Sequence, residues 1–168
     1  YLSGSIPAEI GQWTKIQNLW FADNQIIGTI PTEIGDLAEM GKCVLSNYAC
    51  LTFTPIFVQT SYQKLCLTFS LLSISTTLLL GAFLFYKNQI AGTIPTEIGN
   101  LNKLTWIDCE ENQIVGNIPE EFYSNTDLEE VIVKTNSLSG TISSKIGDLR
   151  RLNTFWASFN TLTGTIPD

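Results

Sequence analysis

Apolar residues recur along this chain at fixed intervals, and polar residues recur between them. One stretch shows the whole pattern, with apolar positions on both sides of an asparagine: Leu101, Leu104, Ile107, Cys109, Asn112, Ile114, Ile118. The alternation of Ile107 and Cys109 predicts a short strand with both side chains on one face. Asn112 marks the turn, because its side chain can bond backbone groups that would otherwise be buried unpaired. The Ile-Pro pair that follows predicts an extended return segment, since proline fixes φ and disfavours helix before it.

The pattern returns with a constant period. The glycine of a Gly-x-Ile-Pro motif, once ending in Ser, stands at positions 4, 28, 92, 116, 140 and 164. The differences between successive positions are therefore 24, 64, 24, 24 and 24. One unit of this size cannot bury its apolar face alone, whereas stacked units share a continuous core. The period predicts a repeat solenoid.

These residues resemble the plant-type leucine-rich repeat, whose pattern is LxxLxxLxLxxNxLxGxIPxxIGxL, over residues 1–40 and roughly 81–168. The resemblance implies an α/β repeat solenoid, a right-handed superhelix with a concave parallel sheet and a convex side of 3₁₀ or irregular segments. Family members are mostly ectodomains of receptor-like kinases, receptor-like proteins and secreted inhibitors. Their repeats recognise peptides, proteins or glycans. The paired cysteines that cap such solenoids are not visible here, so we expect both ends to be uncapped.

Residues 41–80 interrupt the period. The long spacing exceeds one period by the length of this segment, and removal of 41–80 restores four apolar positions in register: Leu37, Met40, Phe83, Phe85. The segment contains no Asp or Glu, and it holds three of the four cysteines. We therefore divide the chain into an N-terminal part of the solenoid (1–40), an insert (41–80) and a C-terminal part of the solenoid (81–168).

Three explanations of the insert are open. Residues Leu65–Tyr86 carry no charge and have the length of a membrane span, although one crossing would put parts of a single solenoid on opposite sides of a bilayer. The family resemblance offers an island loop between repeats as the second explanation. The third is a retained intron, because whole codons preserve the frame and Gly41-Lys42-Cys43 can be encoded by a splice-donor consensus. The restored repeat favours the intron.

Variable positions around each predicted strand are expected to face the concave surface and to form rows across the sheet. Exposed aromatic side chains offer a large contact area at small entropic cost, and acids beside them favour a basic ligand segment. A purely supporting role for the aromatics is the alternative. The candidate ligand-binding residues are Trp20, Asp23, Tyr86, Trp106, Asp108, Glu110, Lys134, Trp156 and Phe159.

Charge and composition exclude several functions. Acids outnumber bases 16 to 9, which disfavours binding to a phosphate backbone, so we expect no nucleic-acid partner. The absence of histidine excludes Ser-His-Asp and Cys-His catalysis and His-ligated zinc. Asp108, Glu110 and Glu111 could be paired carboxylates of a glycosidase, but no motif supports that role. We expect no enzyme activity, no cofactor and no metal.

The sequence thus predicts a non-catalytic module that binds a protein, peptide or glycan through its concave face. The alternatives are a structural scaffold without a dedicated ligand, or a membrane-anchored protein that uses residues 65–86. The family resemblance implies a cell-surface or secreted location. Ligand identity, oligomeric state and the presence of a kinase or transmembrane segment elsewhere do not follow from these residues.

Overall fold

A computed structural model of the protein describes residues 1–40 and 81–167. These residues form two parallel five-stranded sheets and five 3₁₀ helices. Strands of the two sheets alternate along the chain. The strands, numbered in chain order, are β1 (Ser3–Ser5), β2 (Leu19–Trp20), β3 (Gln25–Gly28), β4 (Ala82–Leu84), β5 (Gln89–Gly92), β6 (Trp106–Asp108), β7 (Gln113–Gly116), β8 (Glu130–Ile132), β9 (Ser137–Leu138) and β10 (Thr154–Trp156). The 3₁₀ helices are Ala8–Gln12, Thr32–Asp36, Thr96–Asn100, Glu120–Ser124 and Ser144–Asp148.

The even-numbered strands form the concave sheet, in the spatial order β10-β8-β6-β4-β2. Residues one period apart lie opposite each other, as Phe83 lies opposite Ile107 and Ile107 opposite Val131. These side chains are buried in one core that runs through all the repeats. The predicted solenoid is confirmed, and its apolar strand positions are the ones that the sequence pattern marks.

The odd-numbered strands form a second parallel sheet that the sequence did not predict. Its register is displaced by two residues from the repeat period, so that Gly28 lies opposite Ile90 and Gly92 opposite Ile114. The segment after each asparagine was expected only to turn and return. Instead, the short strand that ends at the glycine of the Gly-x-Ile-Pro motif pairs with the corresponding strand of the next repeat, two positions out of register.

Each repeat asparagine ties three strands together. The side-chain oxygen of Asn112 accepts a hydrogen bond from the Ile90 N–H of the preceding repeat at 3.0 Å. Its Nδ2 donates to the carbonyl oxygen of Phe85 at 3.0 Å, also in the preceding repeat, and to those of Cys109 and Glu110 at 3.1 and 3.2 Å. The predicted role of the asparagine is confirmed and extended, because it links neighbouring repeats as well as its own turn. The same bonds are made by Asn88, Asn136 and Asn160.

The 3₁₀ helices stack on the convex side, where glycines allow close approach. Prolines precede four of the five helices in extended backbone and end the strand-like return segment. A Cβ on Gly35 would lie 2.8 Å from the Cβ and the carbonyl oxygen of Glu97 in the next helix. A Cβ on Gly99 would overlap the Glu121 carbonyl oxygen in the same way, whereas Gly147 has nothing within 4 Å of that position.

The fourth repeat, which contains the 3₁₀ helix Glu120–Ser124, departs from this pattern at two buried positions. Tyr123 occupies the place of Gly99, and its hydroxyl accepts a hydrogen bond from the Ser143 N–H at 3.4 Å. Asn125 occupies the place of Leu101 and is fully buried. Its Nδ2 donates to the Ile98 carbonyl at 3.1 Å, but its Oδ1 has no hydrogen-bond partner. The helices Glu120–Ser124 and Ser144–Asp148 are the least closely packed neighbours in the described stack.

The repeats on either side of residues 41–80 are neighbours in space. Strand β2 pairs with β4, and β3 pairs with β5. Leu37, Met40, Phe83 and Phe85 are all buried, as the restored register predicts. Residues 41–80 themselves lie outside the described residues, together with the explanations offered for them.

The membrane interpretation of Leu65–Tyr86 is wrong for the end of that segment. Ala82–Leu84 form strand β4, and Phe85 is buried after it, so these residues pack in the solenoid core and are not part of a spanning helix. Within 1–40 and 81–167, no helix is long and apolar enough to cross a membrane.

A charge ladder runs across the repeats beside the sheets. Five equivalent positions, each one repeat beyond the last, alternate in sign: Lys15, Glu39, Lys103, Asp127, Arg151. The Asp127 carboxylate contacts both of its neighbours, Lys103 Nζ at 2.9 Å and Arg151 Nη1 at 3.1 Å. The Lys103 and Arg151 side chains are largely solvent-exposed and Asp127 is partly exposed, so each pair contributes at most about 1 kcal/mol.

Candidate functional site

The concave sheet presents three rows of side chains, because alternate residues of each strand point away from the core. The middle row runs across all five strands, as the ladder predicted from sequence requires: Trp20, Leu84, Asp108, Ile132, Trp156. The upper row contains Trp106, with Ala82 and Glu130 as its neighbours. The order of this middle row is confirmed by the strand register.

The lower row follows the strand ends. Its order is Tyr86, Glu110, Lys134, Ser158, since backbone N–H groups of the following residues bond these carbonyls in sequence. The Lys87 N–H donates to the Glu110 carbonyl at 2.8 Å, and the Glu111 N–H donates to that of Lys134 at 3.2 Å. Five of the nine candidate residues therefore come together on three neighbouring strands and their ends: Trp106, Asp108, Glu110, Lys134 and Trp156.

The remaining candidates lie further apart. Trp20 stands two strands from Asp108 in the middle row, and Tyr86 belongs to the strand between them. Asp23 and Phe159 lie at opposite ends of the row of turns that borders the sheet. Their φ values are both 55°, in the left-handed region that a non-glycine residue rarely adopts. Five turn residues share this left-handed backbone conformation: Asp23, Lys87, Glu111, Thr135 and Phe159. Their side chains therefore leave the backbone in the same direction in each repeat.

Exposure differs along the middle row. Trp20 and Trp156 at its two ends are 42% and 53% exposed, and Phe159 beyond Trp156 is 81% exposed. Leu84 and Ile132 are buried between their neighbours. The row is thus an apolar floor with an exposed tryptophan at each end, interrupted at its centre by Asp108.

Lys134 is held by two partners in the site. Its Nζ lies 3.0 Å from the Glu110 carboxylate and 5.1 Å from the centre of the Trp156 ring. The ion pair fixes Glu110, while the cation–π contact places the lysine stem beside the tryptophan. Lys134 therefore neutralises one acid of the face and leaves part of the Trp156 ring accessible.

Asp108 is the most unusual side chain on this face, because it is only 6% exposed. Its Oδ1 accepts a hydrogen bond from the Glu110 N–H at 3.0 Å. Burial raises the pKa of the Asp108 carboxyl to about 6. The carboxylates of Glu110 and Glu130 also raise this pKa, whereas the Glu110 N–H and Lys134 lower it. The carboxyl is thus ionised at neutral pH and gains a proton in mild acid.

Three further residues line this face outside the nine candidates, and the repeat period already assigns all of them to the concave surface. Glu130 lies opposite Trp106 and acts electrostatically on Asp108, and its position is one period beyond Trp106. Leu84 and Ile132 form the buried floor at the period of Asp108. The repeat period was the signal for all three. Their degree of burial depends on neighbouring strands.

The reactive side chains considered from sequence are packed or paired in the described residues. Cys109 is fully buried, and burial raises the pKa of its thiol well above the usual range, so it packs as a small apolar side chain. Glu110, one of the acids considered for glycoside hydrolysis, is engaged by Lys134. Residues 1–40 and 81–167 contain no group of acidic, cysteine or histidine side chains arranged to hold a metal ion.

Comparison with known proteins agrees with this architecture. The family model "Leucine Rich Repeat" matches residues 15–37. Receptor-like protein 39 of Arabidopsis thaliana is 28% identical over 142 residues, which cover 78% of this chain and 16% of that protein. Receptor-like protein 41 of the same plant is 26% identical over the same length. The chain thus spans about one sixth of these curated relatives.

Solved plant receptors share the fold. The Arabidopsis receptor kinase HAESA, solved in complex with the peptide hormone IDA and the co-receptor SERK1, is 27% identical with a TM-score of 0.72. That match covers 98% of this chain and 21% of the receptor. The ectodomain of the Arabidopsis thaliana receptor kinase GASSHO1/SCHENGEN3 has a TM-score of 0.73 at 24% identity, over 98% of this chain and 15% of that one. These matches confirm the resemblance stated from sequence and the solenoid fold.

Proposed function

We propose, from the premise that this chain is a plant-type leucine-rich-repeat solenoid, that it is a ligand-binding segment of a receptor-like protein. The concave face binds a peptide or a segment of a protein, without catalysis. The relatives are receptor-like proteins, and a similar receptor ectodomain is solved with a peptide hormone. The same relationship supports a cell-surface or secreted location as part of this proposal. A glycan is the second ligand class that exposed tryptophans suit.

One observation carries the proposal. Within the described residues, the middle row of the concave sheet ends in Trp20 and Trp156, which are 42% and 53% exposed. Large aromatic side chains contribute most when a partner removes them from water, which is why tryptophan is enriched at binding hot spots. Leu84 and Ile132 lie between them as an apolar floor that Asp108 interrupts at its centre.

The proposal is tested by peptide selection on the full chain. A displayed library of random dodecapeptides is selected on the immobilised protein, and the selected peptides are measured against Trp20→Ala and Trp156→Ala. We expect each variant to weaken binding about tenfold or more, as hot-spot tryptophans do, with the melting temperature nearly unchanged. Trp13→Ala is the matched control, because Trp13 is 50% exposed but lies outside the concave strands.

Two outcomes would contradict the proposal. Selected peptides that bind Trp20→Ala, Trp156→Ala and Trp13→Ala equally would place their contacts off the concave face. Loss of stability in Trp20→Ala and Trp156→Ala, with no peptide selected by the parent chain, would favour a scaffold whose tryptophans support neighbouring repeats.

A further inference from the structure

Trp156 has few neighbours that could hold its ring in one orientation. Its strand, β10, is an edge strand of the described concave sheet, so that β8 is its one neighbour within the described residues. On its own chain, the flanking residues of the same face are Thr154 and Ser158, which are small. Ile132 lies opposite Trp156 on β8 but is buried. The indole can therefore adopt more than one χ1 rotamer unless another side chain holds it.

Lys134 is the side chain that contacts the ring. Its Nζ lies 5.1 Å from the centre of the Trp156 ring, which is within the range of a cation–π contact. Such a contact is stronger when the cation has lost part of its hydration. The Lys134 side chain is 28% exposed, whereas the cations of the other ion pairs between described residues are 51%, 59% and 55% exposed: Lys103, Arg151 and Lys145. Lys134 is thus the best placed of these cations to restrain an aromatic ring.

Glu110 anchors Lys134 in turn. Its carboxylate lies 3.0 Å from Lys134 Nζ, and its side chain is only 18% exposed. A lysine that settles on a ring loses rotamer entropy, and an ion pair at the same ammonium group offsets part of that loss. The backbone N–H of Glu110 donates to Asp108 Oδ1 at 3.0 Å, so the backbone that carries Glu110 is itself fixed. A chain of contacts therefore crosses from the end of β6 to Trp156 on β10.

We propose that Lys134, anchored by Glu110, is a positioning residue that holds the Trp156 indole in the orientation in which an apolar or aromatic side chain of the ligand packs on it. This assignment rests on the proposed function and deepens it. Glu110 and Lys134 satisfy each other's charge, so neither needs a charged group of the ligand. A ring that is always in the binding orientation binds more tightly than one that is there only part of the time.

The first test needs no ligand. The order parameter of the Trp156 indole N–H is measured by ¹⁵N relaxation in the full chain, with the resonance identified by its loss in Trp156→Phe. We expect a value near that of rigid backbone, about 0.85, in the parent chain and below about 0.6 in Lys134→Met. Glu110→Gln should give an intermediate value. Lys134→Arg should restore the parent value, because a guanidinium also stacks on an indole and pairs with a carboxylate.

The second test measures affinity for a ligand without charge. Library-selected peptides that require Trp156 and contain no ionisable side chain are made with blocked termini and titrated into the full chain by calorimetry. Lys134→Met should weaken their binding about fivefold and Glu110→Gln about threefold, while Lys134→Arg stays within about twofold.

Salt provides a further readout. Binding of the uncharged peptide to the parent chain should weaken between about 0.05 and about 0.5 M NaCl, because salt screens the partly exposed pair of Glu110 and Lys134. The same peptide should bind Lys134→Met with little dependence on salt. A residue that only supports the fold would not make the binding of an uncharged ligand depend on salt in this way.

Two matched controls accompany these tests. Lys103 Nζ pairs with Asp127 at 2.9 Å outside the concave strands, so Lys103→Met makes the same change of charge away from Trp156. It should leave the order parameter of Trp156 and the peptide affinity unchanged. Peptides that depend on Trp20 alone should bind Lys134→Met normally, because Trp20 lies on the opposite edge strand of the described sheet.

Several results would overturn the positioning role and leave concave-face binding in place. One is an unchanged order parameter of Trp156 in Lys134→Met, which decides the matter even if every selected peptide carries charge. Another is weaker binding of acidic peptides alone, which would make Lys134 a direct ligand contact. Equal effects of Lys134→Met and Lys103→Met would reduce the result to the loss of one positive charge. The proposed function itself fails on a different result, namely that no selected peptide depends on Trp20 or Trp156.

Discussion

Gly99 and Gly147 have the same place in two repeats but different surroundings. The stacked 3₁₀ helices touch at Gly99, where a methyl group would overlap the Glu121 carbonyl oxygen. At Gly147 the equivalent position is open, with nothing within 4 Å. The repeat period requires neither glycine for its backbone angles, so the difference between them lies in packing alone.

We expect Gly99→Ala to lower the free energy of unfolding by about 2 kcal/mol or more, since the neighbouring backbone must move to admit the methyl group. Gly147→Ala should change it by no more than about 0.5 kcal/mol. Chemical denaturation followed by circular dichroism measures both. Equal effects of the two substitutions would show that helix stacking at Gly99 does not limit stability.

The residue scale also shows what sequence alone could and could not predict about the site. The period placed Trp20, Asp108 and Trp156 in one row, and the strand register confirms it. The period could not predict that Asp108 is buried while Trp156 is exposed. Exposure in a sheet is decided by the side chains on neighbouring strands, and those differ from repeat to repeat. Which of these residues contact a ligand stays a prediction.

At the scale of elements, the concave strands were predictable and the second sheet was not. Ile107 and Cys109 alternate with polar or exposed residues, which is the signature of a half-buried strand. Strand β7 (Gln113–Gly116) has four residues and ends in glycine, so it carries too little alternation to be recognised. Its pairing depends on a register two residues away from the period, which no single repeat reveals.

The buried Asn125, which follows the convex 3₁₀ helix Glu120–Ser124, leads to a prediction about stability. Asn125 fills a place that Leu101 fills one repeat earlier, and its Oδ1 is buried without a partner. Asn125→Leu keeps the branching at Cγ and removes the unsatisfied oxygen, so it should raise the free energy of unfolding by about 1 kcal/mol. Denaturant unfolding measures the change.

The reciprocal substitution is the control for that prediction. Leu101→Asn should destabilise the chain by about 2 kcal/mol or more, because it buries a polar group in a closely packed repeat. If Asn125→Leu destabilises as well, the amide of Asn125 is needed at that position, and its bond to the Ile98 carbonyl outweighs the unpaired oxygen.

At the scale of the whole molecule, the repeats before and after residues 41–80 already pack as consecutive units. The Gly81 and Ala82 N–H groups donate to the Asn18 side chain at 3.1 and 3.0 Å, which anchors β4 against the preceding repeat. Met40 and Phe83 are both buried in the shared core. We propose that residues 41–80 are dispensable for the solenoid.

A chain that lacks residues 41–80 should unfold in one cooperative transition, with a free energy of unfolding equal to or above that of the parent chain. The tryptophan bands of its near-ultraviolet circular dichroism should be retained, since all four tryptophans lie outside 41–80 and Met40 joined to Gly81 matches the bonded pair Leu104 and Thr105. A deletion of the same length over 49–88 removes Phe83 and Phe85 and should abolish cooperativity. Failure of the first deletion to fold would contradict the proposal.

The explanation of residues 41–80 as a retained intron makes a separate prediction about the messenger RNA. If the segment is a retained intron, cDNA across codons 35 to 90 should contain a product that is shorter by the codons for 41–80 and still in frame. A full-length product alone would make the segment part of the mature chain. The island and membrane explanations would then apply to residues that the structure does not describe.

The alternating charge ladder restricts how a solenoid of this kind can grow. Duplicating a single repeat would set two like charges side by side, as a second copy of the Asp127 repeat would place one aspartate against another. Duplicating two adjacent repeats would keep every positive side chain between negative ones. Each of the two observed ion pairs is weak, but opposite charges follow one another at every step of the ladder. Repeat number along this ladder can therefore change in steps of two without placing like charges side by side.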